Sequence, residues 1–303
     1  MEQDILNEPL RKERSYVKSI SAGTRLPLRH PWGFLRQLWP LWLLNTLIWA
    51  LVSRMVACDL YDFCHTSMAE GVTPTDLIGP SLFKVLAWGL LAFVLLGIWC
   101  GQACFLMRRY AELTYLPAIQ PWKIWRDILP VILRGMLVFI VGYLVAAGCS
   151  VACLAILPSR IWALCAFIIV LIFWVFICIP GGTRYLMDAS SSFVSSMNGT
   201  IKKISHLGSW CAIISVSGIV VILLVLIASV PTICATYVNG LSDMSVAIGD
   251  GTDVPASFAY LRAASFALTF FIAPIAWTFL LIPLCFNWGS ECAIVETVEE
   301  KVS

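Results

Sequence analysis

Charged residues and histidine are scarce in this chain of 303 residues. Asp, Glu, Lys and Arg make up 13% of the sequence, against about 25% in a typical soluble domain. Hydrophobic residues make up 60%, and only 3 residues are His. This composition excludes a water-soluble domain and indicates a membrane protein. It gives no sign of nucleic-acid binding.

Motifs for catalysis within a membrane are also missing. All three His residues, His30, His65 and His206, lie outside the apolar blocks, so no HExxH zinc site exists. No Ser–His or Asp–Asp dyad is evident. No Asp or Glu lies in the middle of an apolar block, where ion-coupled transport commonly uses one. The sequence therefore predicts no catalytic residue, no metal site and no cofactor.

A glycine-rich stretch, "PGGTR" at Pro180–Arg184, does not qualify as a phosphate-binding loop. It lacks the Lys-Ser/Thr pair of that motif. Because Pro and Gly both disfavour a helix interior, the stretch is predicted to end a helix.

The apolar residues are concentrated in six blocks, each near the roughly 20 residues that a membrane-spanning helix needs. The blocks are Trp39–Ala57, Leu82–Met107, Ile128–Leu157, Ile161–Ile179, Trp210–Cys234 and Ala263–Phe286. Helices are expected because the blocks lack alternation and backbone groups in lipid must be satisfied within the segment. The sequence predicts an all-α, polytopic membrane protein with six transmembrane helices.

Lys and Arg are distributed unevenly about this topology. Of the 20 such residues, all but Arg54, Lys84, Arg160 and Arg262 fall on the side that holds both termini. The positive-inside rule places that side in the cytoplasm and predicts a multi-pass protein of the cell inner (plasma) membrane. Its basic residues are expected to contact anionic lipid headgroups. On the opposite, acidic side, the longest loop is predicted at Tyr237–Arg262.

Two sequence patterns occur twice. Pro-Trp-x3-Arg-x3-Pro is found at Pro31–Pro40 and at Pro121–Pro130. "WVFICIP" at Trp174–Pro180 matches "WTFLLIP" at Trp277–Pro283, and an acid follows each, Asp188 and Glu291 respectively. These matches predict three tandem helical hairpins, each preceded by an amphipathic interfacial segment. The alternative is convergence, since Trp, Arg and Pro all favour membrane interfaces.

The repeat sets the predicted boundaries and the membrane anchors. The predicted parts are a flexible cytoplasmic tail at 1–30, hairpins at 31–110 and 111–190, and a third hairpin with a short cytoplasmic C-terminus at 191–303. Trp32, Arg36, Trp122 and Arg126 are predicted anchors. Trp rings suit the headgroup level, and Arg reaches phosphates while its stem lies along apolar surface.

Four polar residues within or beside the blocks are candidates for an intramembrane site: Asn45, Gln102, Arg134 and Asn287. Amides in spans more often bond a neighbouring helix than a ligand. Arg134 has no counterpart in the first hairpin, and it is expected to act as an anchor or, alternatively, in a buried site. The GxxxG motif at Gly97–Gly101 predicts a close helix contact, within one chain or between copies.

Most of the 12 Cys lie in or at the ends of apolar blocks, where Cys acts as a small hydrophobe. Cys58 and Cys64, in "CDLYDFCH", are predicted on the non-cytoplasmic side, where a disulfide can persist. The sequence leaves open a disulfide or two unpaired thiols. Metal binding by this stretch is disfavoured because its spacing matches no zinc pattern.

Three hairpins preceded by Trp/Arg segments resemble several poorly characterised bacterial six-span inner-membrane families. One of them is the membrane region that accompanies some glycerophosphodiester phosphodiesterases. The resemblance covers about residues 31–295. It is one of architecture, so it implies a fold and assigns no functional residue. Phosphodiesterase activity is not expected, since the chain carries no soluble catalytic domain.

Three functions are compatible with these observations. The first is a non-enzymatic integral membrane protein, a scaffold or partner subunit of a membrane or lipid-associated complex, with another membrane protein or a second copy as partner. The second is a permease or exporter-like component with a site between hairpins. The third is a membrane enzyme acting on lipids, for which Asp188, His206 and Glu291 are the plausible members of an active site.

Overall fold

The computed structural model describes residues 9–29, 39, 43–44, 46–48, 74–113, 121–156, 160–202, 207–248 and 258–302. Within these ranges the chain is helical except at 9–15 and 188–192, and no strand occurs. The prediction of an all-α protein is confirmed for this part of the chain.

Five of the seven helices with described bounds overlap predicted apolar blocks, and the two short ones, at 16–29 and 193–202, lie outside them. The seven are α1 Tyr16–Arg29, α2 Pro74–Leu113, α3 Pro121–Ile156, α4 Arg160–Met187, α5 Phe193–Lys202, α6 Leu207–Ile248 and α7 Phe258–Val302. Among the described residues, three stretches are long and apolar enough to cross a membrane: Arg126–Cys149 in α3, Gly208–Val238 in α6 and Ala263–Val295 in α7. The prediction of a membrane protein is confirmed in this form. The count of six spans remains a prediction.

Three helix bounds differ from the prediction. Helix α3 continues through Pro130, so the predicted interfacial segment and the span that follows it are one helix. Helix α4 continues through Pro180 to Met187, so "PGGTR" does not end it. Helix α6 extends to Ile248 and α7 begins at Phe258, which turns most of the predicted outer loop into helix.

Tertiary packing explains why α4 continues through two glycines. A Cβ atom on Gly182 would lie 2.9 Å from Cγ1 of Val138, a side chain of α3. Gly181 similarly lies against Met197 of α5. The missing side chains let the neighbouring helices come close, and this packing outweighs the low helix propensity of glycine.

The chain divides into two units. Unit 1 comprises Met1–Trp39, Gly89–Ile219 and Thr278–Ser303, and unit 2 comprises Pro40–Trp88 and Val220–Trp277. In unit 1, α3 packs along α4, and α4 packs along α5. The largest fully buried side chains of this unit include Trp99, Trp210 and Phe286.

The GxxxG motif of α2 packs against α3 inside unit 1. A Cβ atom on Gly97 would lie 2.7 Å from the carbonyl oxygen of Gly135, and one on Gly101 would lie 2.7 Å from Cα of Ile132. Backbones this close leave no room for a side chain. Of the two arrangements that the motif allows, the contact in this structure is the one within a single chain.

Unit 2 is held partly by threonine hydrogen bonds between α6 and α7. The Oγ1 atoms of Thr232 and Thr269 are 2.9 Å apart, and Thr269 Oγ1 also donates to the carbonyl oxygen of Ala228 at 3.0 Å. Interhelical bonds of this kind join helices that lack other polar groups. On its other sides α6 exposes apolar side chains such as Ile222 and Ile227, as a lipid-facing helix does.

The segment predicted as a flexible tail contains an ordered helix. The side chains of α1 that are buried are Ser19, Ala22, Gly23, Leu26 and Pro27. Gly23 lies against the backbone of Pro283 in α7, and Leu10, which precedes α1, is also buried. For residues 9–29 the structure therefore differs from the predicted tail.

Candidate functional site

The C-terminal end of α4 is capped by arginines from two other helices of unit 1. Arg134 of α3 donates to the carbonyl oxygens of Tyr185 at 3.2 Å, Asp188 at 2.8 Å and Ala189 at 2.6 Å. Arg108 of α2 donates through Nε to the carbonyl oxygen of Leu186. The last carbonyls of a helix have no partner within it and carry the negative end of its dipole, so two cations stabilise them. We call this group of contacts the arginine cap.

A network around Glu291 lies next to the cap. Arg184 Nη2 of α4 is 2.7 Å from Oε2 of Glu291 in α7, and Arg184 Nη1 donates to Thr200 Oγ1 of α5 at 3.1 Å. The indole N–H of Trp210 in α6 donates to Oε1 of the same carboxylate. The Arg184 and Glu291 side chains are only 13% and 19% exposed. This Glu291 network joins four helices.

A cavity of about 360 Å³ opens beside this network. Its lining includes Arg184, Asp188, Ser191, Ser195, Trp288 and Glu291. The two acids that follow the repeated "WxFxxIP" pattern therefore line the same cavity. Most of its lining residues have polar side chains.

Asp188 is held by the turn that follows α4. Its Oδ1 atom accepts hydrogen bonds from the backbone N–H of Ser190 at 2.9 Å and from Ser190 Oγ at 2.7 Å. Partial burial raises the pKa of Asp188, but the hydrogen bonds from Ser190 and Ser191 and the charge of Arg108 outweigh it. The pKa is lowered from its ordinary value of 3.8.

This arrangement is poorly suited to acid–base catalysis. A general acid or base works best with a pKa near the operating pH, and the pKa of Asp188 is shifted away from it. Both oxygens of Glu291 accept hydrogen bonds from the protein. His206, the third member of the predicted enzyme site, lies outside the described residues. In the part of the chain that the structure describes, no three His, Cys, Asp or Glu side chains group as a metal site.

The residues of the predicted intramembrane site have different environments. Gln102 is 0% exposed, and neither polar atom of its amide has a hydrogen-bond partner among the described residues. Asn287 is buried, and its Nδ2 atom also lacks such a partner. Arg134 belongs to the arginine cap, so its guanidinium is engaged by backbone carbonyls. Asn45 lies outside the described residues.

The predicted anchors and cysteines are described only in part. Trp32, Arg36, Cys58 and Cys64 lie outside the described residues, and Trp122 is described only as a position in α3. Arg126 is exposed on α3. Next to it, Asp127 pairs with Arg109 of α2 at 3.1 Å on the surface.

Sequence reasoning missed Arg184, Thr200 and Trp210 as members of one network. In the sequence, Arg184 contributes to the uneven distribution of Lys and Arg, Trp210 begins an apolar block, and no motif contains Thr200. One signal was available, since Glu291 follows the same apolar pattern as Asp188. It identified the two acids that line the cavity but not the groups that hold them.

Comparisons with known proteins found no relative of this chain. No protein-family model matches it, and neither the curated proteins nor the solved structures include a match. The architectural resemblance to bacterial six-span families therefore stays a prediction. The function has to be inferred from the residues of the chain itself.

Proposed function

We propose that this protein is a non-enzymatic integral inner-membrane protein that acts as a scaffold or partner subunit of a membrane or lipid-associated complex. In this proposal it has six spans and both termini in the cytoplasm. Three helices long and apolar enough to cross a membrane support the location. Arg108, Arg134 and Arg184 all lie at one end of unit 1, which supports a cytoplasmic position for that end.

The observation that carries the proposal is the Glu291 network. The acid that the sequence offers for chemistry instead has both oxygens bound to Arg184 and Trp210. A carboxylate used in this way fixes α4, α6 and α7 relative to one another. A rigid polar end on a group of membrane helices is suited to docking another molecule.

Exposed apolar side chains on α5 and α7, two of the helices that line the cavity, offer a surface for a protein partner. Val194 and Ile201 are exposed on α5, and Ile294 and Val295 are exposed on α7. Val295 also lines the cavity. Exposed apolar side chains rimmed by polar ones are typical of protein interaction sites.

Purification in mild detergent with mass spectrometry of the co-purifying molecules tests the proposal. A protein partner in stoichiometric amount is expected, and native mass spectrometry distinguishes it from a second copy of the chain. Val194→Asp together with Ile201→Asp should release the partner. Lys202→Asp, which changes the net charge by the same two units at an exposed position on another face of α5, should retain it. A wild-type chain that purifies alone, as a monomer, contradicts the proposal.

A transport component is the second candidate, and one observation favours it. Gln102 and Asn287 bury amide atoms that lack partners among the described residues, and such atoms are costly unless something binds them. A small molecule that co-purifies with the wild-type chain and is lost from Gln102→Leu would support transport. The scaffold proposal expects Gln102→Leu to keep the protein partner.

A further inference from the structure

We propose that the outward side of helix α1 binds the anionic lipid surface of the membrane. The inference concerns a surface that the scaffold proposal does not use. It depends on the chain lying in a membrane, but not on any protein partner.

The inner side of α1 is already occupied by α7. Its buried positions, from Ser19 to Pro27, recur at helical spacing along one side. Gly23 brings the backbone of α1 against Pro283. Just before the helix, the Arg14 N–H donates to Ser290 Oγ at 2.8 Å, and Ser290 Oγ donates to the Arg14 carbonyl at 3.1 Å. The inner side is therefore fixed, and α1 offers only its outer side to another molecule.

The outer side has a basic edge. Lys18, Arg25 and Arg29 are all exposed there. At about 100° per residue, they fall within roughly 40° of one another around the helix axis. None of the three forms an ion pair within the part of the chain that the structure describes. Three cations that have no counter-charge among the described residues form a binding surface for anions.

The adjoining edge of the same side is apolar. Val17 is 58% exposed and Leu28 is 66% exposed, and they fall within about 20° of each other around the helix axis. A helix with basic residues on one edge and large apolar residues on the next is typical of the membrane interface. The cations contact phosphates, and the apolar side chains enter the boundary of the acyl chains. A soluble anion would use the basic edge alone and leave the apolar edge in water.

The position of α1 in unit 1 supports a lipid surface as the occupant. Pro283, which α1 contacts, and Ser290, which Arg14 contacts just before α1, lie within Ala263–Val295, a stretch apolar enough to cross a membrane. The side of α1 that faces away from this helix consequently lies beside the bilayer. Ser290 is also the residue before Glu291, so lipid binding by α1 would hold the Glu291 network at the membrane surface.

Hydrogen exchange of the full-length chain in lipid nanodiscs tests the inference. Discs of phosphatidylcholine are compared with discs that also contain phosphatidylglycerol. Each Lys or Arg near an anionic surface is worth about a fivefold gain in affinity. The exchange rate of amides in residues 9–29 should therefore be lower in the anionic discs by a factor of about ten or more. High salt should remove most of this difference.

Two triple variants separate α1 from a general charge effect. Lys18→Gln, Arg25→Gln and Arg29→Gln together should abolish the difference between the two kinds of disc. Lys202→Gln, Lys203→Gln and Lys301→Gln remove the same number of charges elsewhere and should preserve it. Exchange in α3 reports whether each variant is folded. If a variant does not fold, the effect of salt on exchange in the wild-type chain still tests the inference.

Three results would overturn the inference. Equal exchange of residues 9–29 in neutral and anionic discs would show that α1 does not bind anionic lipid. Protection that depends on chain concentration in neutral discs would assign the outer side of α1 to a second copy. Protection that requires an added acidic protein would assign it to a protein partner. Failure of the chain to enter nanodiscs at all would instead contradict its membrane location.

Discussion

Arg184 and Glu291 form an ion pair at 2.7 Å although 107 positions separate them in the chain. The pair joins the end of α4 to α7, and Trp210 of α6 completes it by donating to the same carboxylate. Arg134 caps the end of α4 a few residues further on. Helix ends in unit 1 are thus connected by directional polar contacts, whereas apolar contacts hold the helices along their lengths.

Glu291→Gln should destabilise the protein. The substitution keeps the shape of the side chain and removes the charge that Arg184 faces. Because Arg184 is only 13% exposed, its charge would be left with little solvent to compensate it. We expect a loss of about 1–3 kcal/mol, less than for a fully buried pair. The measurement is the apparent Tm in mild detergent.

Asp127→Asn provides the matched control, since it breaks the ion pair with Arg109. The side chains of that pair are 34% and 55% exposed. An exposed pair contributes about 0.2–1 kcal/mol, so the apparent Tm should hardly change. Equal losses from Glu291→Gln and Asp127→Asn would refute a stabilising role of the Glu291 network.

Arg134→Gln should loosen the end of α4 without affecting any bound ligand. The variant removes the charge-assisted hydrogen bonds to the carbonyls of Tyr185, Asp188 and Ala189. Hydrogen exchange in 185–192 should become faster, and stability should fall by about 1–3 kcal/mol. Arg134→Lys keeps the charge but not the planar fork, and it should give an intermediate result. If Arg134→Gln leaves exchange unchanged but removes a bound molecule, Arg134 belongs to a ligand site instead.

The sequence predicted the helical class and the positions of the long helices because both depend on local composition. It could not predict that α1 docks on α7. The contact rests on Gly23, and next to it Gly289 of α7 lies against Leu10, just before α1. Small residues leave no periodic signal of their own. The prediction that "PGGTR" ends a helix was also wrong. The packing of Gly182 on Val138 stabilises the helix by more than the low helix propensity of glycine destabilises it.

The candidate site was predictable only in part. Asp188 and Glu291 follow the same apolar pattern, and the structure places both in the lining of one cavity. The pairing of Glu291 with Arg184 could not be foreseen, since no local pattern links residues so far apart. Arg134 was identified as unusual, but its carbonyl partners form only when α4 ends beside α3.

The turn that follows α4 should be sensitive to acid. Hydrogen bonds from Ser190 and Ser191 favour the ionised form of Asp188, so its pKa is lowered from 3.8 in the folded protein. A lowered pKa gives stability that is present above the unfolded value and is lost as the pH falls through the folded value. The protection of amides in 188–192 against hydrogen exchange, taken relative to the intrinsic exchange rate at each pH, should therefore fall as the pH drops below about 3.8.

Ser190→Ala tests the cause of that acid sensitivity. It removes the side-chain hydrogen bond to Asp188 at 2.7 Å and keeps the backbone one. The pKa of Asp188 should move back towards its ordinary value, so the total loss of protection on acidification should be smaller than in the wild-type chain. Ser195→Ala, at an exposed position of α5, should leave the size of that loss unchanged. A loss of equal size in all three chains would exclude Ser190 as the cause.

Gly97→Ala should be costly, whereas the same substitution at Gly148 should not. A Cβ atom on Gly97 would lie 2.7 Å from the carbonyl oxygen of Gly135, closer than van der Waals contact permits. Helices α2 and α3 would have to separate, at a cost of about 1–3 kcal/mol. A Cβ atom on Gly148 would meet no atom within 4 Å. Because Ala is the better helix former, Gly148→Ala should be neutral or stabilise α3 by up to about 1 kcal/mol.

The apparent Tm of the two variants, measured in the same detergent, should fall for Gly97→Ala alone. If both fell equally, the close contact of α2 with α3 would not be what requires glycine at position 97.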